Sequence, residues 1–245
     1  GYIEIHDVTS QWGVFAVAGP KSRDFLSEIV RDVDQTTALS NARFPWLSCK
    51  RVELGMCSVN AIRVSYTGEL GWELHHPIEM QNYLFDLLEA VGKKYELKWV
   101  GARAQNWLRQ EKSYRAFGTE LGRDATPLEA DLPRFVDMSK DFNGKSQMEK
   151  IGIRSKCITL LIDGPKDADP WGREALYTED GTTRIGRLTS GGYSVFFEKS
   201  IGMGYVNPSF AVEGQKLKVK IQNTLWNAVV TSDSPYDPKN EKLRN

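Results

Sequence analysis

The sequence predicts an α+β fold: an antiparallel sheet with helices on one side, followed by a small C-terminal β-barrel or sandwich. A segment over residues 62–74 reads as strand, glycine turn, strand, and residues 80–91 place apolar side chains at helical spacing. Beyond Ile153 the character changes to a succession of short strands separated by Gly, Pro or Asn turns. A boundary near residue 150 follows, giving a first domain over 1–150 and a barrel domain over 151–245.

The opening Gly1-Tyr2-Ile3-Glu4-Ile5-His6-Asp7 has neither signal-peptide nor transit-peptide character, and looks like a strand entered in mid-fold. It raises the expectation of a piece of a longer polypeptide. Trp12 to Ala18 is an apolar run ended by Gly19-Pro20, hence a strand and a turn. Lys21 to Val30 sets Phe25, Leu26, Ile29 and Val30 on one helical face, and residues 34–58 read as irregular. The alternation Ile62, Val64, Tyr66 against Arg63, Ser65 then predicts a half-buried strand with the apolar set inward. Gly68 and Gly71 bracket a reversal, after which Trp72 and Leu74 face one way and Glu73 and His75 the other. Met80, Tyr83, Leu84, Leu87, Leu88 and Val91 form a helical stripe suited to packing on a sheet.

Gly101 to Tyr114 reads as a second helix with Trp107 and Leu108 as apolar positions, and residues 115–155 are loop-rich. Strands are expected at 157–163, 174–178, 184–189, 200–206, 216–221 and 225–231. Thr189-Ser190-Gly191-Gly192-Tyr193-Ser194 reads as a flexible turn, and Ser234 to Asn245 as a mobile tail.

Composition excludes several classes of function. Lys+Arg and Asp+Glu both number 32 in a chain of 245 residues, so no basic excess recommends a nucleic-acid partner. No apolar run approaches the roughly 18 residues of a membrane span. Three cysteines without CxxC spacing read as reduced thiols, in a cytoplasmic or mitochondrial-matrix setting. His75 and His76 are adjacent on a strand and point to opposite faces, so they cannot chelate one metal together and no metal site is expected. GxSxG, GxGxxG and Walker patterns are lacking.

The polar groups that remain are Tyr66 and Glu73 on the hairpin, Arg103 at a helix start, and Arg109, Glu111 and Arg115 beyond it. A carboxylate, an aromatic ring and an arginine can together recognise a flat heterocycle that bears an amide N–H, an exocyclic amine and an anionic tail. The same residues serve equally as a solvated strand acid, a half-buried aromatic and an exposed helix arginine paired with a nearby acid.

Arg63-Val-Ser-Tyr-Thr-Gly-Glu-Leu-Gly-Trp-Glu-Leu74 resembles the tyrosine–threonine–glycine–glutamate hairpin of the aminomethyltransferase family, the T-protein of the glycine cleavage system. Gly101-Ala-Arg-Ala-Gln-Asn-Trp-Leu-Arg-Gln-Glu-Lys112 is similar to that family's next helix. Thr126-Pro-Leu-Glu-Ala130, Asp141-Phe-Asn-Gly-Lys145, Thr189–Ser194 and Ile201-Gly-Met-Gly-Tyr-Val206 follow in the family's order. The Gly-Glu-Leu-Gly-Trp-Glu-Leu form of the hairpin, Ser113-Tyr-Arg-Ala-Phe-Gly118 and Ser234-Pro-Tyr-Asp-Pro-Lys-Asn240 resemble the folate-binding C-terminal module of dimethylglycine and sarcosine dehydrogenases.

The resemblance implies tetrahydrofolate as cofactor and transfer of a formaldehyde-level carbon from an N-methylated amine to give 5,10-methylenetetrahydrofolate. By the same carry-over Tyr66 lines the pterin pocket, Glu73 pairs with the ring edge and Arg103 meets the tail carboxylates. FAD is expected only on a separate domain or chain. The expected partners are a missing N-terminal part of the same fold, which supplies the family's catalytic aspartate, or an FAD-dependent oxidase domain; neither nucleic acid nor membrane is among them. Two other functions stay open: a non-catalytic folate-binding or regulatory relative, and a folate-dependent demethylase of another methyl donor.

Overall fold

The computed structural model describes residues 2–164 and 169–245, so that Gly1 lies outside the described residues. It divides into two compact units, one formed by 1–100 with 239–245 and the other by 101–238.

The first unit is built on a four-stranded antiparallel sheet of β1 (Trp12–Ala18), β2 (Cys49–Leu54), β3 (Cys57–Ile62) and β4 (Gly71–Pro77), in the order β1-β4-β3-β2. Alternation decides its faces. Val17, Cys57, Val59, Ala61, Trp72 and Leu74 point into a core shared with Phe25 and Leu26 of α1 (Ser22–Ser27) and with Ala38 of α2 (Gln35–Ala38). Leu84 and Leu88 of α3 (Gln81–Gly92) are buried in the same core, with Met80, Tyr83, Leu87 and Val91 packed against it, as the helical stripe predicts. The opposite face carries Trp12 and Val14, which stay exposed, beside Glu73 and His75. Gly55 makes the tight β2–β3 turn at φ +58°, where a Cβ would meet the Tyr83 hydroxyl at 2.3 Å.

Three local expectations are corrected. Residues 34–58 are not all irregular, since β2 lies within them; its Lys50-Arg51-Val52-Glu53 hides the apolar run that marks a strand. The segment 63–70 is a loop joining β3 to β4, not the first arm of a hairpin, because pairing ends at Ile62↔Glu73. The inward set there is also inverted: Ala61 and Arg63 are buried while Tyr66 is 36% exposed. Arg63 tolerates burial because its guanidinium donates to the Phe44 carbonyl at 2.7 Å and to the carbonyls of Arg244 and Asn245 at 3.1 and 2.9 Å.

The second unit is a closed six-stranded antiparallel barrel of β5 (Lys156–Ile162), β6 (Ala175–Thr178), β7 (Arg184–Ser194), β8 (Lys199–Val206), β9 (Lys216–Ile221) and β10 (Thr224–Val230). Neighbours around it run β10-β5-β8-β7-β6-β9, and Leu160, Ile162, Leu176, Leu188, Val206, Leu217 and Val219 fill its interior. Five of the six strands lie within a residue of their expected runs, and β7 continues past its expected end at 189 to Ser194. Helix α4 (Ala102–Glu111) belongs to this unit, as does α5 (Lys145–Ile151). The division by packing therefore falls at Gly101, whereas the change of sequence character falls near 150.

The Thr189–Ser194 motif is the second half of β7 and not a flexible turn. Its two glycines lie flat under close neighbours instead of making a reversal. The closing segment is not a mobile tail either: Tyr236 and Leu243, the latter on α6 (Glu241–Arg244), are buried, and Lys112 Nζ donates to the Tyr236 and Asp237 carbonyls at 2.9 and 2.8 Å.

Candidate functional site

Glu73 projects from β4 on the open face of the sheet, between Ala16 of β1 and Ile62 of β3 in register. Its neighbours Trp72 and Leu74 anchor the strand in the core, so the carboxylate is held by a rigid element, on a side chain that is 42% exposed. His75 stands two residues on along the same face, its Nε2 3.2 Å from Glu73 Oε2. His76 points the other way, stacks on Phe15 at 4.9 Å and meets Gln81 Oε1 at 2.7 Å, as expected of adjacent strand residues. A cleft of about 620 Å³ opens beside this face, lined among others by Trp12, Asn60, Ile62 and His75. Tyr66 lies on the β3–β4 connection, where Ser65 Oγ is 3.1 Å from Thr67 Oγ1 and Gly68 takes φ +83°.

Arg103 occupies the first turn of α4, in the second unit. Trp107 lies four residues on, hence on the same helix face, and its ring centre is 5.3 Å from the guanidinium carbon. Trp171 adds a second indole at 5.1 Å. Arg103 Nη2 donates to Asp169 Oδ2 at 2.8 Å, the nearby-acid pairing that a surface helix arginine suggests. Arg103, Trp107 and Trp171 border a cleft of about 170 Å³. Tyr66 and Glu73 thus share one unit, and Arg103 stands in the other.

The other polar residues that stand out in the sequence are structural. Arg109 is 1% exposed, donates to Glu120 Oε2 at 2.8 Å and to Ser190 Oγ at 2.6 Å, and so ties α4 to β7. Glu120 also accepts from the hydroxyls of Thr189 and Ser190, each at 2.6 Å. Burial pushes the Glu120 carboxyl up, but the Arg109 charge and these hydroxyls outweigh it and hold the group below the ordinary range. Glu111 accepts from the Ser194 hydroxyl, and Arg115 is spent on the Ala130 and Ser113 carbonyls and on Asp233. The Cys157 thiol, buried in the barrel wall, is pushed up to about 12, which leaves it inert as a nucleophile.

Sequence reasoning missed Trp171 and Asp169 as neighbours of Arg103, whereas strand alternation sets His75 on the face of Glu73, where it lies. The spacing Arg103–Trp107 was the available signal for the aromatic wall, whereas Asp169 and Trp171 reach Arg103 through tertiary folding alone. Among the described residues no group of three or more His, Cys, Asp or Glu could hold a metal ion, and no helix is long and apolar enough to cross a membrane.

Comparison with known proteins gives two family matches. Residues 2–140 match the GCVT N-terminal domain, and residues 156–237 match the glycine cleavage T-protein C-terminal barrel domain. The chain is 36% identical to human mitochondrial dimethylglycine dehydrogenase over 95% of its own length and 27% of that protein. It is 32% identical to an aminomethyltransferase of Caldanaerobacter subterraneus subsp. tengcongensis over 98% of its length and 62% of that protein. The crystal structure of the glycine cleavage system aminomethyltransferase T from Bartonella henselae shares its fold, with a TM-score of 0.76 at 23% identity over 93% of this chain and 60% of that one.

Proposed function

The chain belongs to the glycine cleavage T-protein family, and on that premise we propose that it is a tetrahydrofolate-dependent one-carbon transfer module. The one-carbon unit would come from an N-methylated amine such as dimethylglycine or sarcosine, or from a glycine-derived aminomethyl group. Bound tetrahydrofolate would supply its N5 and N10 amines, whose two N–H bonds are exchanged for bonds to one formaldehyde-level carbon, with loss of water or of the donor amine, to give 5,10-methylenetetrahydrofolate.

The observation that carries the proposal is Glu73 on its strand. A carboxylate fixed by the buried Trp72 and Leu74, yet open at its head, can accept two parallel hydrogen bonds from the N–H edge of a pterin. The residues present fit such a ligand. Trp12, Val14 and Ile62 give the same face apolar surface for a flat ring, and Tyr66 lies on the adjoining loop. Arg103 offers a cation for the tail. The task of these groups is to bind and orient the acceptor and to keep bulk water from it.

The chain spans 27% of the human dehydrogenase and 62% of the bacterial aminomethyltransferase it resembles. Further polypeptide, either the N-terminal part of the same fold or an FAD-dependent oxidase domain, would complete the pocket over the open face of the sheet and bring the catalytic acid. The exposure of Trp12 and Val14, at 39% and 49%, supports a covered state for that face.

Titration of tetrahydrofolate against the full-length protein and its Glu73→Ala variant tests the assignment. Loss of a charge-assisted two-bond pair costs about 2–3 kcal/mol, so the variant should bind roughly 30- to 150-fold more weakly. Equal affinity for the two proteins would remove Glu73 from the site.

A further inference from the structure

Resting on the assignment of Arg103 to the anionic tail, we propose that Asp169 is a built-in competitor for that arginine, which a ligand carboxylate must displace or outweigh. Asp169 then sets how strongly the site prefers ligands with anionic tails.

The geometry comes first. Arg103 Nη2 donates to Asp169 Oδ2 at 2.8 Å, and among the described residues no acceptor takes the remaining donors, Nε and Nη1. The flanking indoles of Trp107 and Trp171 bring no acceptor for these N–H groups, because an indole only donates. They hold the guanidinium without satisfying it. An anion arriving from solvent therefore meets an arginine whose Nε and Nη1 have no acceptor among the described residues, with one carboxylate already in place.

Asp169 is fixed and not a passing surface partner. Its side chain is only 11% exposed, against 60% for Arg103. The next residue, Pro170, is buried and presses on β7 at Gly191, where even a Cβ would come within 2.5 Å of the Pro170 carbonyl oxygen. Glu174 clamps the following backbone by accepting from the Trp171 and Gly172 N–H groups, both at 2.8 Å. The acid is thus anchored, and the arginine is the partner with freedom to turn outward.

Charge then decides the outcome. One guanidinium carries one positive charge, and Asp169 already neutralises it locally. A second carboxylate at Nε and Nη1 gains the hydrogen bonds but feels the like charge of Asp169 a few ångströms away. Such repulsion at a partly exposed site amounts to roughly 3- to 10-fold in affinity. A ligand without a carboxylate feels none of it.

The test uses the full-length protein, with tetrahydrofolate and 6-methyltetrahydropterin, which has the ring but no carboxylate, as calorimetric ligands. Asp169→Asn, and independently Asp169→Ala, should bind tetrahydrofolate roughly 3- to 10-fold more tightly and the pterin with unchanged affinity. Unchanged or weaker tetrahydrofolate binding by both variants overturns the proposal. Arg103→Met separates the two layers of inference. If it binds tetrahydrofolate as the parent does, the assignment of Arg103 fails and the role of Asp169 falls with it. If it weakens tetrahydrofolate and spares the pterin while neither Asp169 variant tightens, only the competitor role is lost.

Discussion

The Glu129 carboxylate has no exposed surface, yet it accepts from Arg154 Nε at 3.0 Å, from the Arg154 backbone N–H at 3.1 Å and from the Thr126 backbone N–H at 2.9 Å. Burial would raise it, but the Arg154 guanidinium and the two backbone donors outweigh that and bring it from an ordinary 4.5 to about 2. A depressed carboxyl stabilises the fold fully above its unfolded value and loses that contribution as pH falls through its folded value. Glu129→Gln should therefore be less stable by about 2–3 kcal/mol at neutral pH, with the deficit shrinking between pH 4.5 and 2. Denaturant midpoints for both proteins across that range check it, and a deficit that does not change with pH would refute it. At this scale the sequence was legible wherever a side chain obeys its type, as with Trp72 and Leu74 inward and Glu73 outward. It was illegible at Arg63 and at the Arg154 half of the Glu129 cluster, where a buried charge is met by distant carbonyls or donors that no local pattern announces; the Thr126 half is a local T-x-x-E pairing.

Strand β7 and helix α4 form one mechanical element, although the motifs that build them lie about eighty residues apart in the chain. Gln110 donates to the Gly191 carbonyl at 3.3 Å, Arg109 reaches Ser190, and Gly192 lies under the Trp107 indole. A Cβ at Gly192 would stand 2.0 Å from Trp107 Cδ1, so Gly192→Ala must push the indole away. The variant should lose about 1–3 kcal/mol of stability through overpacking. It should also weaken tetrahydrofolate binding, because Trp107 is one wall against Arg103. Thermal unfolding together with ligand titration measures both, and an unaltered melting temperature would show that the strand has slack there. The same glycines explain why Thr189–Ser194 reads as a turn. A glycine pair signals reversal when only its backbone freedom is weighed, whereas here the absent side chain makes room for a tryptophan from another element. The barrel strands themselves were legible, since each alternates against a single filled interior.

The two compact units do not follow the chain in order, for residues 239–245 return to the first unit after the barrel is complete. Neither composition nor periodicity could have placed this segment, because its anchoring is long-range: Leu243 is 3% exposed, and the carbonyls of Arg244 and Asn245 accept from Arg63. Burial, together with the nearby Arg23, lowers the Arg63 guanidinium to about 10. Removing residues 239–245 would leave the buried guanidinium with the Phe44 carbonyl as its remaining acceptor, at a cost of about 2–5 kcal/mol to the first unit. The loss belongs to that unit because every acceptor removed lies within it. Hydrogen exchange on the full-length protein and on the variant cut after Pro238 should therefore show amide protection falling in β3, β4 and the Phe44 segment while the barrel strands keep theirs. Equal loss in both units would mean that they unfold as one cooperative body, and no loss in either would mean that Arg63 finds water or new acceptors at little cost.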